Sequence, residues 1–148
     1  MKKLLIVSAF VVGAIGVRAD ESAFQLSLTP DIAIHPRTTE ISAFSLNVWG
    51  ENPQHGVALG FVNGSTGDSS GLSWAIIANY DDSYTGVQLG FVNYSKESFK
   101  GLQWGFVNYT EKLDGVQLGL VNIVTDNGWF DQFPGKLAKG FPFFNWSF

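Results

Sequence analysis

The sequence predicts an all-β fold: a β-solenoid of coils about 15 residues long, closed by an aromatic, partly irregular C-terminal cap. Three observations predict it. First, one octapeptide recurs, as GVALGFVN (56–63), GVQLGFVN (86–93), GLQWGFVN (101–108) and GVQLGLVN (115–122). Second, Gly56, Gly71, Gly86, Gly101 and Gly115 recur at spacings of 15, 15, 15 and 14, a short regular period that signals a repeat architecture. Third, large apolar residues alternate strictly with small or polar ones, which is the period of a strand.

Residues 1–19 read as a signal peptide. Lys2 and Lys3 precede the apolar run LLIVSAFVVGAIGV, and Val17 and Ala19 supply the small residues before a cleavage site after Ala19. The run falls short of the roughly 20 apolar residues that a membrane span requires. Residues 20–55 hold N-terminal capping and edge strands. FQLSL (24–28) is one, AFSLNVWG (43–50) is a decayed repeat, and Pro30 and Pro36 interrupt the chain between them.

Residues 56–122 are five repeat units, each closed by an asparagine: Asn63, Asn79, Asn93, Asn108 and Asn122. The second unit, GLSWAIIAN, carries one extra residue, which only a bulge can absorb without turning the rest of the strand over. Val87, Leu89 and Phe91, then Leu102, Trp104 and Phe106, then Val116, Leu118 and Leu120 form the apolar face, expected to point into the core. Stacked coils would let each asparagine amide bond the next at a corner, and Gln88, Gln103 and Gln117 would form a similar structural ladder. Residues 123–148 leave the period and form the cap, ending in FPFFNWSF.

An eight-stranded antiparallel outer-membrane barrel uses the same alternation differently, with the apolar face on lipid and Gln and Gly inside. Linkers of similar length and ingredients favour the solenoid, because membrane barrels alternate short turns with long loops. The octapeptides resemble the tandem G-[LV]-Q-x-G-[LF]-[VIF]-N repeats of exported surface-repeat proteins of spirochaetes and related diderm bacteria. The resemblance covers residues 56–122 and implies residence in the envelope or at the cell surface; it carries no activity. GLSWAIIAN departs from it by losing the Gln and the central Gly, and the terminal FNWSF resembles the ends of outer-membrane barrels.

Composition narrows the function. Without Lys2, Lys3 and Arg18, six cations face thirteen acidic residues, a net charge of −7 that argues against nucleic acid or anionic lipid heads as partners. No cysteine is present, so neither disulfides nor thiolate-bound metals hold the chain. His35 and His55 stand apart in turns and read as exposed loop residues, without metal-ligand spacing. Asp81 and Asp82 could meet a cation with Asp68 or Glu97 if linkers stacked, though acidic loops ordinarily solvate a turn. Tyr80, Tyr94 and Tyr109 would form a column, either a supporting ladder or a platform for a glycan. The expectation is an exported, non-catalytic envelope or surface protein, without cofactor, that has a structural or interaction role.

Overall fold

Alternation in each repeat becomes two walls of strand joined by two corners, and each coil lies directly on the one before. The computed structural model describes residues 21–148 as a β-solenoid of about seven turns, without helix. The segment 1–19, read above as a signal peptide, lies outside the described residues. The strands are β1 (Glu21–Thr29), β2 (Ile32–Ala33), β3 (Glu40–Glu51), β4 (His55–Gly64), β5 (Asp68–Leu89), β6 (Val92–Trp104), β7 (Val107–Val124) and β8 (Gly140–Ser147). They form one sheet in the order β2-β1-β3-β4-β5-β6-β7-β8. Pairing is parallel from β1 through β7 along the winding, and antiparallel only where β2 folds back on β1 and β8 on β7. The parallel ladder excludes the antiparallel barrel.

Identical letters sit on one another. Asn79, Asn93 and Asn108 pair in register, as do Gly86, Gly101 and Gly115, and Gln88, Gln103 and Gln117. The extra residue of GLSWAIIAN is absorbed by a bulge: Gly60 pairs with Ala75, yet Val62 pairs with Ala78. The AFSLNVWG segment is a working rung, with Phe44 on Val57 and Leu46 on Leu59.

The expected core face is reversed. Val87, Leu89, Phe91, Leu102, Trp104, Phe106, Val116, Leu118 and Leu120 lie on the outside, and Trp104 is 60% exposed. Gln88, Gln103, Gln117, Asn93, Asn108 and Asn122 are inside, each at most 1% exposed. The reason is the width of the coil. From one wall Gln103 Nε2 reaches the backbone oxygen of Tyr109 on the other (3.5 Å), so the interior is one side chain deep. Beside this corner planar amides stack at the strand spacing and satisfy one another, while rings are taken inside beneath the opposite corner, where Tyr84 and Phe99 stack.

Those amides form two ladders. Asn79, Asn93, Asn108 and Asn122 are joined by Nδ2–H to Oδ1 bonds of 2.8 Å each. Gln103 donates to Gln88 at 3.1 Å and Gln117 to Gln103 at 2.9 Å. The asparagines also hold the corner, since Asn79 donates to the Leu89 carbonyl (2.9 Å) and Asn108 to that of Leu118 (2.8 Å). Beneath the opposite corner lies a small apolar cluster of Tyr84, Phe99, Leu113 and Val124. The unit-opening glycines stand within a wall at positive φ, and a Cβ on Gly101 would fall 2.0 Å from the Gly86 carbonyl oxygen.

Both ends are closed. At the start, Gln25 donates to the His35 carbonyl (2.9 Å) and to Asn52 Oδ1 (3.0 Å). At the finish, residues 125–139 run as turns over the last coil, and Asn127 donates to the Ala138 carbonyl (3.0 Å). Leu137 N–H and Phe148 N–H then bond the Trp146 and Gly135 carbonyls, so the C-terminal end of β8 is partly covered on its far side.

Candidate functional site

Residues excluded from the interior build the most distinctive surface of the molecule. Each coil bends at a small residue followed by a large apolar one, Gly90-Phe91, Gly105-Phe106 and Gly119-Leu120 or, in one coil, Ala75-Ile76, with a large apolar residue before it as well. Stacking turns this into two ridges, one through Trp74, Leu89, Trp104 and Leu118, the other through Ile76, Phe91, Phe106 and Leu120. Ala75, Gly90, Gly105 and Gly119 form the floor between them, and the groove holds about 780 Å³. A Cβ on Gly105 would point inward, 1.9 Å from the Gly90 carbonyl oxygen and 2.7 Å from Asn93 Nδ2, so the corner has no room for a side chain on its inner side. Phe91 and Phe106 stack with ring centroids 4.5 Å apart, an aromatic pair at the middle of the second ridge between Ile76 and Leu120.

Sequence reasoning placed these side chains in the core and so did not see the groove. Its signal was present: a glycine between two large apolar residues, repeated each coil. The rejected barrel arrangement had the apolar face pointing outward, correctly, but on the wrong topology.

The tyrosines fall where the repeat puts them but do not behave alike. Tyr94 and Tyr109 stack face to face, 4.9 Å apart at 9°. Tyr80 is in register with Tyr94, yet its hydroxyl donates to Glu51 Oε2 (2.5 Å) and accepts from Trp49 Nε1 (2.9 Å). Burial, then the Glu51 carboxylate, push the Tyr80 phenol up to about 12. That ring belongs to a local network that includes Arg37, whose Nη1 is 3.5 Å from Glu51.

Asp81 and Asp82 part company. Asp82 faces outward and accepts from the Gly67 amide (2.9 Å). Asp81 points inward, 3% exposed, and accepts from Gln88 Nε2. It occupies the position filled by Ser95 and Thr110 in later coils. Burial pushes its carboxyl up to about 7, against the opposing bonds from Ser95 and Gln88. Neither Asp81 Oδ1 nor the Tyr84 hydroxyl has a hydrogen-bond partner among the described residues. Asp81 therefore cannot join Asp68 or Glu97 around a cation on the outer linkers, and no acidic or histidine cluster of three is arranged for a metal among the described residues.

The histidines also differ from expectation. His35 is buried, with Nε2 2.9 Å from Ser22 Oγ, because the N-terminal turn folds over the first coil and draws it inside. Burial lowers its pKa, while a backbone bond at Phe24 opposes the shift. His55 stays half-exposed, with Nδ1 2.8 Å from Ser70 Oγ and Nε2 3.6 Å from Glu40.

No family model matches the chain, and comparison with curated proteins and with solved structures gives no match either.

Proposed function

We propose that the chain is an exported cell-envelope repeat protein of a diderm bacterium, with a non-catalytic structural or interaction role exerted through its outer corner. One observation carries this reading: an interior filled by amide ladders, beneath an exterior lined with aromatic and aliphatic ridges. An interior one side chain deep offers no chamber for a substrate, so recognition falls to the outside. The N-terminal segment supports export, and its cleavage would leave Asp20 as the first residue.

The tyrosine column supports a ladder better than a glycan platform. In the Tyr94–Tyr109 pair each ring covers a face of the other, so mainly edges are offered where a sugar would need a face. Export is tested by fractionating the producing cells and sequencing the N-terminus of the recovered protein. Asp20 as first residue in an envelope fraction is the expected result; a cytoplasmic chain that keeps Met1 would end this reading.

A further inference from the structure

The groove has unusual chemistry for a protein-binding surface. Its side chains carry no charge, and its floor is glycine and alanine. The backbone beneath it is already engaged: Gly90 N–H bonds the Trp104 carbonyl (3.1 Å), Gly105 N–H the Leu118 carbonyl (3.0 Å), and Val107 N–H the Phe91 carbonyl (3.0 Å). Asn108 and Asn122 bind the Gly105 and Gly119 carbonyls from inside. A peptide laid here would bring polar backbone to a surface with little to pair it, at a cost in free energy for each group buried. Hydrocarbon brings no such group.

The cross-section is graded in the same sense. Moving away from the Gly105-Phe106 corner, one wall presents Trp104, then Leu102, then Lys100; the other presents Val107, Tyr109 and Glu111. The preceding coil repeats this with Leu89, Val87 and Thr85, and with Val92, Tyr94 and Lys96. Apolar edge, aromatic shoulder and charged far side are the layers of an element that lies in a membrane interface. The edge also continues, for Leu26, Leu46, Leu59 and Trp74 stand in one register row, and Leu89, Trp104, Leu118 and Phe144 in another. At about 4.8 Å per rung the two rows, end to end over eight rungs, run roughly 30 Å.

Charge selects the occupant. The chain has a net charge of −4, so anionic headgroups and a second copy of the chain would both meet like charge, while the ridges themselves are neutral. We propose that this corner is a lipid-insertion edge: the solenoid lies along a bilayer surface, its axis in the membrane plane, and sinks both ridges into the hydrocarbon of a zwitterionic leaflet. The proposal deepens the envelope reading above and rests on it only for which membrane is within reach.

The test is flotation of the protein recovered from cells with neutral phosphatidylcholine vesicles at low and high salt. Tryptophan quenching by brominated acyl chains is read in parallel. The protein should float at both salt concentrations and be quenched by bromines near the headgroups. The double variant Phe91→Ser/Phe106→Ser should partition at least roughly tenfold more weakly, with its circular dichroism unchanged. Lys96→Gln, on the charged side, should float as the wild type does. All variants keep the same N-terminal sequence, so binding through that segment cancels in the comparison. The proposal is overturned if wild-type protein stays unbound, or if the double variant floats equally well. Self-association without flotation, lost in the double variant, would also overturn it and give the edge to a second copy. Should the double variant fail to fold, quenching in wild-type protein decides alone: none overturns the proposal. A cytoplasmic location would end the envelope reading while leaving the vesicle result intact, so the two failures are distinguishable.

Discussion

Asn108 does more to hold this fold than Phe106, two residues before it. Asn108 accepts from Asn93 and donates to Asn122 and to the Leu118 carbonyl, all inside, whereas Phe106 is 50% exposed. Replacing Asn108 by Ala strands buried amide and carbonyl groups and should cost about 1–3 kcal/mol for each. Phe106→Ala leaves no enclosed cavity and should cost less than about 1 kcal/mol. Urea titrations of the two variants measure the order, and the reverse order would return the apolar face to the interior. Asp81 sets a pH dependence. Its carboxyl titrates near 7 in the fold, above its ordinary 3.8. Between those values the unfolded chain has lost this proton while the folded chain retains it, so stability falls as pH rises through that window and levels off above it. Asp81→Asn should flatten this fall, recovering on the order of 2–4 kcal/mol near pH 8; a pH series of thermal midpoints reads it out. An unchanged slope would mean that the carboxylate is solvated.

At the scale of the element, the corner and the cap carry the sequence-specific constraints. A Cβ on Gly105 would lie 1.9 Å from the Gly90 carbonyl oxygen, and that atom is backbone that cannot turn aside. Gly105→Ala should therefore destabilise by at least about 2 kcal/mol. Gly67 has positive φ but open space around its Cβ direction, so Gly67→Ala should cost about 1 kcal/mol, from conformation alone. Equal losses at the two sites in denaturant titrations would contradict the close coil contact. The cap is separable in effect. A chain ending before Gly140 would lose β8 and uncover the β7 edge between Gly115 and Ile123. Time-resolved light scattering should show it aggregating where the full chain does not.

At the scale of the molecule, polarity is distributed against the ordinary expectation. Amides fill the part of the interior beneath the apolar corner, and the small apolar cluster lies beneath the charged one. Burial of aliphatic side chains is therefore only one support of the fold; mutually satisfied amides along the axis are the other. The same arrangement leaves a contiguous apolar edge, with Trp74, Trp104, Phe91 and Phe106 all exposed. A repeat also propagates that edge, because whatever one coil presents, the next presents beside it.

Much of this was legible without coordinates. The 15-residue spacing of the glycines set the coil, the recurring asparagines announced the ladder, and the one-residue excess in GLSWAIIAN required the bulge that lies between Gly60 and Val62. Period-2 alternation says which residues share a face but not which face is inside, and here hydrophobicity pointed the wrong way. Only the tertiary structure decided that, since the distance between the walls admits Gln103 and Asn108 and excludes Trp104 and Phe106. The burial of Asp81 and His35 was likewise undecidable from local sequence, because it depends on neighbouring coils and on a turn folded back over the first one. Repeat, register and ladder are properties of the chain taken along its length; inside and outside are properties of the space the coils enclose.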